Sequence, residues 1–197
     1  MAPMYCLYAQ LPWSITARIA MFLKSQGEPV MAEPAHVTVL YGPEMETEIE
    51  TVDPATLCSD VFKLSHTEID ALRGCVATVC GVSVFARPWK ALWIVKLGLK
   101  CPELDAVRAQ LVKRHPRVRA CLSASEGLVH KHGIVDDDSF APEGSTSWAH
   151  VTIATATTER AARMLTRAAK TAFADLTSMC ITGIAAVTAE TDTIVPL

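Results

Sequence analysis

The 197-residue sequence lacks a long apolar segment, and this absence limits where the protein is expected to act. Its longest candidate, residues 91–99, is interrupted by Lys96 and has the length of a strand. A helix that crosses a bilayer needs roughly 18–20 apolar residues. The N-terminal sequence MAPMYCLYAQLP also lacks the basic start and the small-residue cleavage site of a secretory signal. We therefore expect a cytoplasmic protein without a membrane partner.

Cysteine motifs are missing as well. The seven cysteines form no Cys-x-x-Cys pair, and their odd number leaves at least one without a partner, so we expect reduced thiols. His130, His132 and Asp136–Asp138 have the side chains of metal ligands. They follow no metal-binding spacing and lie among glycine and serine, which favours a solvated loop. We therefore expect neither a metal nor a cofactor.

No single sign of charge dominates. With 18 basic and 21 acidic residues, the net charge is −3, which creates no global field to attract long nucleic acid. If the ligand is a nucleotide, it should be a small ribonucleotide or a short oligonucleotide bound by local contacts. The length fits one domain over residues 1–197, which we expect to be monomeric.

Apolar periodicity predicts an α+β protein. Predicted strands cover residues 4–11, 75–85, 91–99, 179–189 and 193–197, and the regions around His36 and His150. One predicted helix has Ser14 as its N-cap and stops at Gly27, and another starts with the capping box Ser65–Glu68. Two further predicted helices begin at Pro102 and at Thr158. The order strand, helix, histidine-containing strand occurs twice, which suggests two lobes. Residues 116–147 contain no clear element and are interpreted as a lid or connection.

The two histidine-containing strands share a sequence, AHVTV at residues 35–39 and AHVTI at residues 149–153. Side chains alternate along a strand, so His36 and Thr38 share one face and lie about 6.5 Å apart. The second copy places His150 and Thr152 together in the same way. A single His-x-Thr in a strand is most often structural, but two copies in similar settings favour a shared site.

These residue types suit cleavage of a phosphodiester. Threonine hydroxyls donate hydrogen bonds to the non-bridging oxygens. A pair of histidines supplies a base for the attacking group and an acid for the departing oxygen, and such assistance is typically worth ~10²–10⁴-fold per group. This chemistry requires no metal.

The paired motifs resemble those of the two-histidine (2H) phosphoesterase superfamily, whose signature is two H-x-(S/T)-hydrophobic strands. The resemblance implies a bilobal α+β fold with two antiparallel sheets facing a central groove and helices outside. It implies that His36 and His150 are catalytic and that Thr38 and Thr152 bind phosphate. By analogy, His150 would be the base and His36 the acid. Many members carry proline before the second histidine, where this chain has Ala149, and residues 116–147 exceed the length found in compact members.

The resemblance also implies candidate activities. The first is hydrolysis of a 2′,3′-cyclic phosphate or a 2′–5′ linkage in a small ribonucleotide. An alternative within this class is degradation of 2′–5′ oligoadenylate or a cGAMP-type cyclic dinucleotide, which would counter innate immune signalling. A nucleotide-binding module without turnover is the alternative of another class.

Other residues have weaker signals. Tyr41, Trp89 and Trp148 are candidates for stacking on a base, although packing is the more common role of each. Tyr5 and Tyr8 face either the core or the groove, and the sequence does not decide between them. Four basic residues lie on one face of the last predicted helix, which favours solvation over phosphate binding: Arg160, Arg163, Arg167 and Lys170.

Overall fold

A computed structural model of the protein describes residues 4–44, 62, 64–87, 91–114, 149–188 and 194–196. The described strands are β1 Met4–Gln10, β2 His36–Glu44, β3 Val76–Arg87, β4 Leu92–Lys100, β5 His150–Ala156, β6 Ser178–Cys180, β7 Gly183–Thr188 and β8 Ile194–Pro196. The described helices are α1 Trp13–Ser25, α2 His66–Leu72, α3 Pro102–Arg114 and α4 Glu159–Ala172. The predicted α+β class is therefore confirmed.

All eight strands lie in one sheet, in the order β6-β3-β4-β5-β2-β1-β7-β8, and all described pairs are antiparallel. The order divides into two groups of four strands that meet between β5 and β2. β6 and β7 lie at or next to opposite edges of the sheet, yet only Ile181 and Thr182 separate them in the chain. The sheet must therefore curl until its two edges approach each other.

The two sheets expected to face each other across a groove are not confirmed. In the described residues, β2 and β5 are neighbours in a single curled sheet. The predicted strand over residues 179–189 is also divided: β6 pairs with β3 and β7 pairs with β1. The backbone crosses between the groups at Ile181, whose N–H donates to the carbonyl of Cys75, and at Thr182, whose N–H donates to the carbonyl of Gln10.

The helix boundaries follow local chemistry, with one correction. Ser14 is not the N-cap of α1, because the helix already begins at Trp13. The residue before it is Pro12, whose carbonyl accepts from the N–H of Ile15. Gly27 ends this helix at a φ of 73°, a conformation that favours glycine. The predicted capping box of α2 is confirmed, since Ser65 and Glu68 bond each other's backbone N–H.

One face of the sheet is covered by helices. Alternate strand residues on this face, such as Ala9, Val37, Leu97 and Val151, are fully buried, and they join the buried helix side chains in one hydrophobic cluster. Residues of the other strand face, among them those next to Val37 and Val151, are half-buried. Among the described residues, no helix is long and apolar enough to span a membrane.

Candidate active site

The two His-x-Thr motifs meet where the two groups of strands join. β2 begins at His36 and β5 begins at His150, and the strands run antiparallel with Val37 opposite Val151. This is the one register pair described between them. His36 therefore lies opposite Thr152, and Thr38 lies opposite His150. The two strands overlap only along the motifs, and beyond them each strand pairs with a neighbour in its own group.

All four motif side chains share the face of the sheet that the helices leave open. Val37, Val39, Val151 and Ile153 point into the core, where each is at most 1% exposed. The intervening histidines and threonines are half-buried. Side chains directly opposite each other across antiparallel strands lie about 4.5–5.5 Å apart, and diagonal ones lie about 7–8 Å apart. The result is a two-by-two cluster with the histidines on one diagonal and the threonines on the other.

Buried alanines fix the start of each motif strand. The N–H of Ala35 donates to Thr16 Oγ1 of α1 at 2.9 Å. Ala149, at the position where many 2H members have proline, accepts from the N–H of Leu99 at 2.9 Å through its carbonyl. Both alanines are less than 10% exposed. Each histidine therefore follows a residue that is anchored in the core.

The orientation of His36 is determined by a backbone group. Its Nδ1 lies 2.9 Å from the carbonyl oxygen of Pro34. A carbonyl oxygen only accepts hydrogen bonds, so Nδ1 carries the proton, and in the neutral ring Nε2 presents its lone pair. Glu33 Oε2 lies 3.8 Å from the same Nδ1 and becomes an ion-pair partner when the ring is protonated. Nε2 is thus the atom of His36 that is suited to proton transfer.

Tyr8 is the aromatic neighbour of this histidine. The two rings stack with centroids 3.7 Å apart and planes 7° apart. Tyr8 lies opposite Thr38 in the register between β1 and β2, so it shares the open face with the motif residues. Tyr8 therefore faces the open side of the sheet and not the core. The sequence could not show this, because the direction depends on which residue of the neighbouring strand lies opposite Tyr8.

A lysine that the sequence analysis did not assign to the site lies beside Thr152. Lys96 is its register partner on β4, and Gly98 is the partner of His150. Lys96 is half-buried on the open face, between the buried residues Val95 and Leu97. The site therefore has a cation on its β4 side. Side chains in the sequence VKLG, residues 95–98, alternate between the two faces of the strand. This alternation could have predicted that Lys96 points away from the core.

Several other predicted residues lie outside the described part of the chain. These are Trp89, Trp148, His130, His132, Asp136–Asp138 and the segment 116–147, together with the side chain of Tyr41. In the described residues, no group of three or more His, Cys, Asp or Glu side chains could hold a metal ion. The basic residues of α4 are exposed, and this helix packs on the covered face of the sheet, opposite the motif side chains.

The described cysteines are all free thiols. Burial raises the pKa of Cys6 to about 11 and that of Cys101 to about 11. A thiol with so high a pKa has little thiolate at neutral pH and is a poor nucleophile. These two cysteines therefore act as apolar core residues.

Comparison with known proteins leaves the family open. No family model and no curated protein matches the chain. It is similar to the solved structure of Usb1 from Kluyveromyces marxianus, at 12% identity and a TM-score of 0.48, with 100% of this chain and 99% of that chain covered. The structure of the same protein with uridine monophosphate gives 10% identity, a TM-score of 0.48 and coverages of 100% and 98%. A likeness this weak assigns neither a family nor an activity, and we infer function from the residues of the site alone.

Proposed function

We propose that the protein is a metal-independent phosphodiesterase that hydrolyses a small ribonucleotide phosphodiester by acid–base catalysis with His36 and His150. The observation that carries the proposal is the register pair Val37–Val151, which brings both motifs onto one open face of the sheet. A core histidine would need no second copy beside it. An acid and a base acting on the same phosphate would need this arrangement.

The phosphate would lie over the junction of β2 and β5. The hydroxyls of Thr38 and Thr152 occupy one diagonal of the cluster and would donate to the two non-bridging oxygens. The imidazoles occupy the other diagonal, about 7–8 Å apart. They would flank the phosphorus from two sides, as an attacking and a departing oxygen must do when they are in line.

In the proposed reaction, His150 takes a proton from water as the water oxygen bonds to phosphorus. The bond from phosphorus to a ribose oxygen breaks, and His36 gives that oxygen the proton held on Nε2. The bond from Nδ1 to Pro34 persists in both charge states of His36, because Nδ1 keeps its proton in each. The ring therefore keeps its orientation while Nε2 gains and loses a proton.

Lys96 would complete the site electrostatically. The attacked phosphate carries a negative charge that spreads over its oxygens during the reaction, and fixed donors and cations stabilise such charge. Lys96 is the register partner of Thr152, so its ammonium group would be within reach of a phosphate bound to that hydroxyl.

For the substrate, we propose a 2′,3′-cyclic phosphate or a 2′–5′ linkage. The test is a panel containing a 2′,3′-cyclic nucleotide, 2′–5′ oligoadenylate and 2′,3′-cGAMP, each assayed with and without EDTA. Turnover of the cyclic nucleotide in EDTA is the expected result. Turnover of only the other two substrates would support a role against innate immune signalling. Tight binding without turnover of any of them would identify a nucleotide-binding module, and loss of activity in EDTA would contradict the metal-free mechanism.

A further inference from the structure

A pocket beside His36 is not used by the proposed chemistry. It has a volume of about 180 Å³ and lies over β1 and β7, on the side of His36 away from β5. Its apolar wall is formed by Leu11, Ala185 and Val187, and its polar groups include Gln10 and Glu33. Pockets for whole drug-sized ligands measure roughly 300–1,000 Å³. This pocket therefore fits one ring system better than a whole nucleotide.

Two of the polar side chains that line this pocket, those of Gln10 and Glu33, are available to a ligand. In the described part of the chain, no protein group hydrogen-bonds the carboxamide of Gln10, and the nearest partner of Glu33 is His36 Nδ1 at 3.8 Å. The amide of Gln10 lies against Gly183, its register partner on β7. A Cβ at position 183 would lie 2.7 Å from Gln10 Oε1, so the glycine makes room for the amide.

The acidic side chain of the pocket disfavours a phosphate. A carboxylate such as that of Glu33 repels the negative charge of a phosphate at short range. The cation of the site, Lys96, lies on the opposite side of the motif cluster. A substrate would therefore place its phosphates over the motifs and toward Lys96, and an uncharged group with N–H donors in the pocket beside His36.

We propose that this pocket binds a guanine base of the substrate. On its pairing edge, guanine has two adjacent N–H donors, the ring N1–H and the amino group, and a carboxylate accepts both with its two oxygens. The carbonyl oxygen on the same edge is an acceptor for the amide of Gln10. Uracil has a single N–H between two carbonyl oxygens, which would face the Glu33 carboxylate unfavourably. The inference rests on the proposed function, because it assumes that the substrate is a nucleotide placed at His36.

Two measurements test the inference. The first is kcat/KM for the 2′,3′-cyclic phosphates of guanosine and uridine. The second is equilibrium binding of guanosine and uridine 3′-monophosphates, which needs no turnover. We expect the guanosine compounds to be preferred in both. Glu33→Gln should lower the guanosine-to-uridine ratio of kcat/KM and of affinity about ten- to a hundredfold, the usual effect of losing hydrogen bonds to a charged group. A loss that arises through the ion pair with His36 is shared by both bases and cancels in this ratio.

Two further variants keep the test specific. Glu28→Gln removes a carboxylate from the same loop outside the pocket and should preserve the guanosine preference. Gly183→Ala displaces the amide of Gln10 and should reduce that preference without an effect on uridine.

The outcomes separate this inference from the proposed function. Cleavage with equal values for both bases would overturn the guanine pocket and leave the phosphodiesterase intact. An equal loss for both bases in Glu33→Gln would also overturn it, since Glu33 would then act through His36. Guanosine binding that depends on Glu33, without cleavage of any diester, would support the pocket and contradict the phosphodiesterase.

Discussion

Val37 lies opposite Val151 in the sheet, and this pair aligns the two His-x-Thr motifs. Both valines are fully buried under the helices, so their neighbours on each strand must point to the other face. The core thus fixes the direction of the four motif side chains through two apolar ones. Because β2 begins at His36 and β5 begins at His150, the two groups of strands contact each other only along the motifs.

Replacing Tyr8 should reduce the rate by disturbing His36. An aromatic pair contributes about 0.5–1.5 kcal/mol beyond its buried area, so Tyr8→Ala should lower kcat about two- to tenfold with little change in KM. Tyr8→Phe keeps the stacked ring and should restore kcat. Steady-state kinetics on a 2′,3′-cyclic nucleotide measures both. If Tyr8→Phe is as slow as Tyr8→Ala, the hydroxyl matters and the stacking explanation is wrong.

The alternation in AHVTV and AHVTI was enough to predict the strands and the shared face of each histidine and threonine, and the burial of Val39 and Ile153 agrees with it. The capping box of α2 was predictable for the same reason, because it depends only on two residues three positions apart in the sequence. The relation between the motif strands was not predictable, because a strand's pattern defines its faces without naming its neighbour. The contacts of His36 with Tyr8 and Pro34 depend on that register and on the path of a loop.

Removing the charge of Lys96 should weaken substrate binding. A hydrogen bond or ion pair to a charged group contributes about 1.5–3 kcal/mol, so Lys96→Gln should raise KM about tenfold or more. The variant should also show a weaker dependence on ionic strength, because salt screens the lost attraction. Lys100→Gln, at the exposed end of the same strand, is the matched control. Equal kinetics for the two variants would remove Lys96 from the site.

The threonine hydroxyls should each contribute to catalysis. Thr152→Val keeps the shape of the side chain and removes the donor, and Thr38→Val does the same on β2. Loss of one hydrogen bond of about 1–1.5 kcal/mol corresponds to roughly a five- to tenfold fall in kcat/KM. Thr152→Ser should retain most of the activity. Thr155→Val, which alters an exposed threonine on β5, is the control, and an equal loss there would point to strand stability instead of phosphate binding.

The ion pair between α2 and α3 makes stability depend on pH. Arg114 donates to both carboxylate oxygens of Glu68, at 2.7 and 2.9 Å. This hydrogen bonding, with help from Ser65, lowers the pKa of Glu68 from 4.5 to about 2. A lowered pKa means that the stabilisation is complete above about pH 4.5 and is lost as the pH falls toward 2.

Glu68→Gln should therefore lower the free energy of unfolding by about 1 kcal/mol at pH 7, and the difference from the unmodified protein should shrink below pH 4.5. Thermal unfolding followed by circular dichroism at pH 7, 4 and 3 measures this. Asp70→Asn removes a carboxylate from the same helix and should have a smaller effect. A difference between Glu68→Gln and the parent that is constant over this range would contradict the assigned ion pair.

The central claim is that His36 and His150 act on one phosphate. The most direct measurement is kcat/KM in EDTA for His36→Ala, His150→Ala and the double variant on a 2′,3′-cyclic nucleotide, with His66→Ala at the exposed start of α2 as control. Each site variant should lose ~10²–10⁴-fold. The double variant should lose less than the product of the two single losses, because the residues act as a unit. The control should match the unmodified protein. Activity near the unmodified level in either single variant would contradict the account.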